Sequence, residues 1–146
     1  MKHLLLTLAV SMALYSCTVE PSEIIYGSDG CHYCKMTIVD RQHAAQIVTS
    51  KGKPFKYDAI ECMTNDLVSR DLSTISYFLI NDYATPGVLI DATKSTFLIS
   101  KSITSPMGAF LSGFKDEVSA SKFQKEDGDE ILTWNELKVR FLPAQE

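Results

Sequence analysis

Short β-branched and aromatic runs alternate along the chain with runs of helical spacing, and the order of the two kinds repeats. Ala44–Ser50 (AAQIVTS) and Pro54–Tyr57 (PFKY) flank Lys51-Gly52-Lys53, which predicts a hairpin turning at the glycine. Asp58 follows as an expected helix N-cap with Glu61 in capping-box spacing. Ile60, Met63, Leu67 and Val68 share one face, so a helix is predicted from Asp58 to about Arg70. The run STISYFLINDY then reads as a buried strand.

The second half shows a similar succession. GVLIDAT and STFLIS straddle a polar turn, Gly108–Phe114 (GAFLSGF) reads as a strand, and KDEVSASKFQKE has Val118, Ala120 and Phe123 at helical spacing. Gly128 is placed to end that helix, and a strand returns near Ile131–Trp134. PFKYDAIECM and SGFKDEVSAS both put Phe-Lys and then acids at a helix entry, an internal similarity that suggests two strand-strand-helix-strand units. Each unit is too small to stand alone. The expectation is therefore an α+β fold whose units, 31–83 and 87–137, share one core.

Composition narrows the functional classes. The chain has 146 residues, 45% hydrophobic and 22% charged, which is the profile of a globular domain and not of a disordered chain. Its formal net charge of -4 argues against a basic face that would neutralise phosphates, so no nucleic-acid partner is expected.

The N-terminus changes the picture further. Lys2 and His3 precede an apolar run, Leu4–Leu14, shorter than the roughly 20 residues that a membrane-spanning helix needs. This reads as an export signal over residues 1–16. Its end, Leu14-Tyr15-Ser16-Cys17, resembles a bacterial lipobox, which implies an acylated Cys17 as the mature N-terminus. Residues 17–30, with a polar stretch containing Pro, Ser and Gly, suit a tether, and 31–146 would be the folded domain. The expectation is a protein held to the bilayer by lipid in the cell envelope, facing the periplasm.

Setting Cys17 aside leaves Cys31, Cys34 and Cys62, an odd number for an oxidising compartment. The stretch Gly30–Met36 (GCHYCKM) holds two of these thiols, His32 and Met36. A thioredoxin-like dithiol would need a helix after the second Cys, and the β-branched Thr37-Ile38-Val39 propagates a helix poorly. Structural zinc would have to recruit Cys62 and a His, because there is no second Cys-x-x-Cys and His43 stands alone. A Cys31–Cys34 disulfide is the plain alternative.

Met36 sets the stretch apart, because thiolate and thioether in Cys-x-Met spacing are soft donors matched to Cu(I). On an extended segment Cys34 and Met36 would point to one side. Met107, in TSPMGAF, lies outside any helical core stripe and is a further candidate, whereas Met63 and Cys62 read as core residues. His32 and His43 read as solvated or partly packed. Asp58 and Glu61 read as helix-capping acids. No Ser-His-Asp set, phosphate-binding glycine loop or paired-carboxylate pocket is readable, and no enzymatic activity is expected.

CHYCKMTI, the following Ala45-Gln46-Ile47, the late SPMGAF and GDEILTWNEL, together with the lipobox, resemble the NosL family, copper-binding lipoproteins that accompany nitrous oxide reductase. The resemblance implies two strand-strand-helix-strand units. It matches Cys34 and Met36 to the family's Cys-x-Met and Met107 to its late Met-Gly. Cys31 is an addition that not all members share, and Lys35 stands where Gly or Gln is common. The implied function is a membrane-anchored Cu(I) metallochaperone that delivers copper to nitrous oxide reductase or its membrane assembly complex. Two readings compete with it: a tethered thiol-disulfide exchanger using Cys31 and Cys34, and an envelope interaction module that binds no metal.

Overall fold

Two antiparallel sheets pack on one shared core in the computed structural model, which describes residues 18–142. The export signal, the lipobox and Cys17 lie outside the described residues. Strand β1 (Ala45–Thr49) pairs with β2 (Pro54–Tyr57) across the turn at Lys51–Lys53, where Gly52 takes φ +78° as the expected hairpin required. Helix α1 (Ile60–Leu67) and strand β3 (Ile75–Asn81) follow, and β3 pairs on the other side of β1. The second unit repeats this arrangement: β5 (Thr96–Ile99), β6 (Leu111–Phe114), α2 (Glu117–Ser121) and β7 (Glu130–Thr133), with β5 central. The predicted α+β fold of two strand-strand-helix-strand units is the observed one.

The structure corrects the reading at several elements. GVLIDAT and STFLIS do not belong to one unit: β4 (Leu89–Asp91) pairs with β3 and completes the sheet β2-β1-β3-β4, while β5 begins the sheet β6-β5-β7. The turn between them, held by Asp91 Oδ1 accepting from Thr93 N–H at 2.9 Å, carries the chain from one sheet to the other. Without β4, the edge of β3 would be left unpaired. The strand in the second unit is shorter than expected, because Gly108 and Ala109 belong to a loop. A third helix, α3 (Trp134–Phe141), runs on from β7; its start is a capping box in which Thr133 and Glu136 satisfy each other's backbone N–H groups.

Helix α1 begins without the expected cap. Ala59 occupies the N-cap and no side chain bonds there; Asp58 and Glu61 are both buried instead. Ile60, Met63 and Leu67 face the core as predicted, whereas Val68 sits at the helix end, more than a third exposed. In α2, Ala120 is buried but Val118 points outward. The shared core runs from Ile38, Ile47 and Ile60 in the first half to Phe97, Leu111 and Leu137 in the second.

Candidate metal centre

The segment before β1 carries the site and is fastened at several points. Gln46 on β1 exchanges hydrogen bonds with the Ser22 backbone, receiving from Ser22 N–H at 2.9 Å and donating to Ser22 O at 2.7 Å. A bridge between Gly30 and Thr37 closes the GCHYCKM loop. Inside it, Cys31 N–H donates to Met36 O at 2.7 Å and Lys35 N–H donates to Cys31 O at 3.1 Å. His32 N–H reaches Lys56 O on β2 at 2.8 Å, and the His32 ring meets Phe55 edge-on at 4.6 Å between centroids.

This loop is a turn and not the extended segment on which Cys34 and Met36 would share a side. Lys35, between them, has φ +66°, in the left-handed region. The turn directs Cys34 towards the core, half-buried, and leaves Met36 54% exposed. Met107 is also on the surface, 40% exposed, in a turn closed by Gly108 N–H donating to Ser105 O at 3.0 Å. Among the described residues only Lys35 and Phe110 are non-glycines with positive φ, and each lies within three residues of a predicted thioether ligand.

The thiols converge. The sulfurs of Cys31, Cys34 and Cys62 lie within 4.8 Å of one another, and all three cysteines are free. Cys62 comes from the first turn of α1, next to Glu61, which places its sulfur beside the loop. It is wholly buried, as a core reading expects, yet it is also the third member of a sulfur cluster. The available signal was the odd thiol count, which an assignment of Cys62 to the core left unexplained. The structure thus joins Cys31 and Cys34 of the predicted set with Cys62, while Met36 and Met107 stand at the surface.

Hydrogen bonding orders the three protons. Cys31 accepts from the Cys62 thiol, from Asp58 N–H and from Cys34, which together hold its thiol down at about 4 against the opposing effect of burial. Cys62 is pushed up because its proton is engaged by Cys31 and because it is buried. Burial also raises Cys34. Of the three, Cys31 is therefore the thiol that ionises first.

Two acids at the start of α1 are buried, and one of them, Asp58, lies beside Cys31. Asp58 Oδ1 and Glu61 Oε2 are buried with no hydrogen-bond partner among the described residues. Burial raises the Asp58 carboxyl above its ordinary value, against a hydrogen bond from Val39 N–H. Glu61 Oε1 accepts from Ser105 Oγ, which in turn accepts from Phe110 N–H at 3.0 Å. That chain of bonds fastens the Met107 loop to the helix that carries Cys62.

His43 is neither solvated nor beside the thiols. Its Nδ1 lies 2.8 Å from Asp40 Oδ2 and its Nε2 lies 3.1 Å from Ser112 Oγ on β6. The order Asp-His-Ser matches a hydrolytic triad, but Ser112 is wholly buried and offers no oxygen to a substrate. The trio ties the segment before β1 to β6.

The family model of NosL matches residues 23–142. This chain belongs to the NosL family. Its fold is also that of a solved NosL: the crystal structure of the copper chaperone NosL from Shewanella denitrificans gives a TM-score of 0.70 at 18% identity, covering 82% of this chain and 96% of that one. Identity at that level carries the fold and not the ligands. Comparison with curated proteins gives no match. Within the NosL fold, the Cys-x-Met of this chain falls on the closed loop before β1, and its late Met-Gly on the loop before β6.

Proposed function

We propose that this NosL chain is a membrane-anchored Cu(I) metallochaperone that delivers copper to nitrous oxide reductase or its membrane assembly complex. The observation that supports this most is the convergence of three free thiols within 4.8 Å inside a NosL fold. Thiolate and thioether sulfur are the soft donors that Cu(I) prefers, and neither offers the hard oxygen shell that would favour magnesium or calcium. Cys34 is the central ligand, because it joins the buried thiols to the solvent side. Cys31 supplies a ready thiolate, Cys62 a third sulfur, and Met36 and Met107 are the thioether donors at the rim.

Delivery follows from this asymmetry. A site walled by protein on the Cys31 and Cys62 side and open beyond Cys34 lets a partner's ligand approach the ion from one direction only. Copper then passes by ligand exchange, with one sulfur bond breaking as the partner's forms, and no free ion is released. The oxidation state of the cargo does not change. Acylated Cys17 keeps the chaperone on the bilayer, facing the periplasm, where a membrane-bound assembly complex can be reached by lateral diffusion.

The thiol-disulfide reading gains from the Cys31 thiolate but fails on access. Cys31 is 2% exposed, whereas the thiol that solvent reaches, Cys34, holds its proton more tightly than usual. An attacking thiolate has to reach its target.

The test is anaerobic Cu(I) titration of the reduced protein against a competing chelator. The parent should bind one Cu(I), and Cys34→Ser should weaken binding by at least about a hundredfold, roughly 2.7 kcal/mol. Affinity in Cys34→Ser equal to that of the parent would remove the copper reading.

A further inference from the structure

Three thiols that meet at one point can take an ion of more than one charge, and the surroundings discriminate between them. Cys31 and Cys62 are 2% and 0% exposed, and Cys34 is the one member with an open side. Bound by all three as thiolates, a monovalent ion leaves two net negative charges in the pocket, a divalent ion leaves one, and a trivalent centre leaves none. Net charge buried without a counter-charge is costly. The Asp58 carboxyl adds to that cost: its Oδ1 is buried without a partner among the described residues, and it lies near Cys31 and Asp40 as well as His43.

We infer that Cys31, Cys34 and Cys62 form a seat for trivalent arsenic, taken up as the small neutral hydroxide As(OH)3 and held as a three-coordinate tris-thiolate. The arsenic enters at Cys34. Each step forms one As–S bond and breaks one As–O bond; at Cys34 and Cys62 the departing hydroxide leaves as water with the thiol proton, and at Cys31, which ionises first, it takes a proton from solvent. The three steps consume As(OH)3, two thiols, one thiolate and one solvent proton and give As(SR)3 and three waters, with no oxidant or reductant. Thioethers have no proton to give in this condensation, so Met36 and Met107 take no part. The inference stands on the thiol geometry and the uncharged product, independently of the copper reading.

The experiment uses the full chain carrying Cys17→Ser, whose only cysteines are Cys31, Cys34 and Cys62. The reduced protein is titrated anaerobically with sodium arsenite, followed by intact-mass spectrometry, free-thiol counting and arsenic X-ray absorption. One arsenic per chain, a mass gain of one arsenic less three hydrogens, loss of all three reactive thiols and three sulfur neighbours are expected. Cys62→Ser should weaken arsenite binding by at least about a hundredfold. Arsenic held by two thiols, or arsenite affinity in Cys62→Ser within about threefold of the parent, overturns the inference. If Cys62→Ser does not fold, the thiol count on the parent decides alone. Arsenite capture without Cu(I) binding supports this seat and removes the copper reading; Cu(I) binding without arsenite capture does the reverse.

Discussion

Lys35 shows how one residue shapes the loop that carries two of the three thiols. A side chain in the left-handed region costs about 1–2 kcal/mol relative to right-handed backbone, and Lys35 holds φ +66° between Cys34 and Met36. Glycine takes this conformation freely but loses about 0.5–1 kcal/mol through its greater freedom when unfolded. Lys35→Gly is therefore expected to raise stability by about 0.5–1 kcal/mol, read as a shift in urea midpoint at unchanged slope. Tyr57 is a second informative residue. Its hydroxyl donates to Asp66 Oδ2 at 2.5 Å, and Arg70 Nε donates to the same oxygen at 2.6 Å. Burial first, and then the Asp66 carboxylate, raise the Tyr57 hydroxyl above its ordinary value of 10.0. The unfolded chain thus loses this proton at lower pH than the folded one. The stabilisation is complete below about pH 10 and declines above it, by up to about 1.4 kcal/mol per pH unit. Denaturation midpoints taken at increasing pH above 10 should fall in the parent, and Tyr57→Phe should flatten that alkaline decline.

Packing between elements is tight where β6 meets β3. A Cβ at Gly113 would overlap Ile80 Cδ1 and come within 3.3 Å of Ile60 Cδ1, and both isoleucines are wholly buried. Gly113→Ala is expected to destabilise by about 1–3 kcal/mol. Ile80→Val, which removes the obstructing methyl, should recover part of that loss when combined with it, so the pair will be non-additive. Recovery of nothing, measured by chemical denaturation, would place the strain elsewhere. Such cross-sheet contacts also mark the limit of what the sequence discloses. The strands and α1 were legible because β-branched runs and helical spacing are local signals, and the hairpin at Gly52 was legible because its turn chemistry is local too. Partnership was not: nothing within Leu89–Asp91 says that it pairs with β3 and not with β5. Asp58 and Glu61 have the spacing of a cap, but tertiary contacts claim them, Glu61 through Ser105 and Asp58 beside Cys31, and the α1 start goes uncapped. The T-x-x-E of Thr133–Glu136 was there to be read and predicts α3 on the same rule. The site divides similarly. Cys31 and Cys34 follow from their spacing, but Cys62 joins them only through the placement of α1 against the loop, which no periodicity encodes.

At the scale of the whole molecule, the proposed anchor at Cys17 lies outside the described folded body. A lipid-modified Cys17 would hold the protein at a bilayer through its buried methylenes, so Cys17→Ser is expected to move the protein from the membrane to the soluble fraction while the Cu(I) titration of the domain stays as in the parent. Membrane retention of Cys17→Ser in cell fractionation would remove the anchor. The two units are not separable in this way, because β4 belongs to the sheet of the first, and α1 packs against β6 and α3 of the second as well as against β1 and β2. That last arrangement has a consequence in time. All three thiols are encoded by position 62, whereas β6 and α3, which cover α1 from the far side, come at 111–114 and 134–141. A chain exported unfolded through its N-terminal signal would therefore present a finished set of sulfurs on an unfinished body until its last segments had crossed. Any oxidant that meets the chain in that interval can cross-link the cysteines before the last helix closes over them, and the yield of loadable protein should depend on how oxidising the compartment is in which the chain folds.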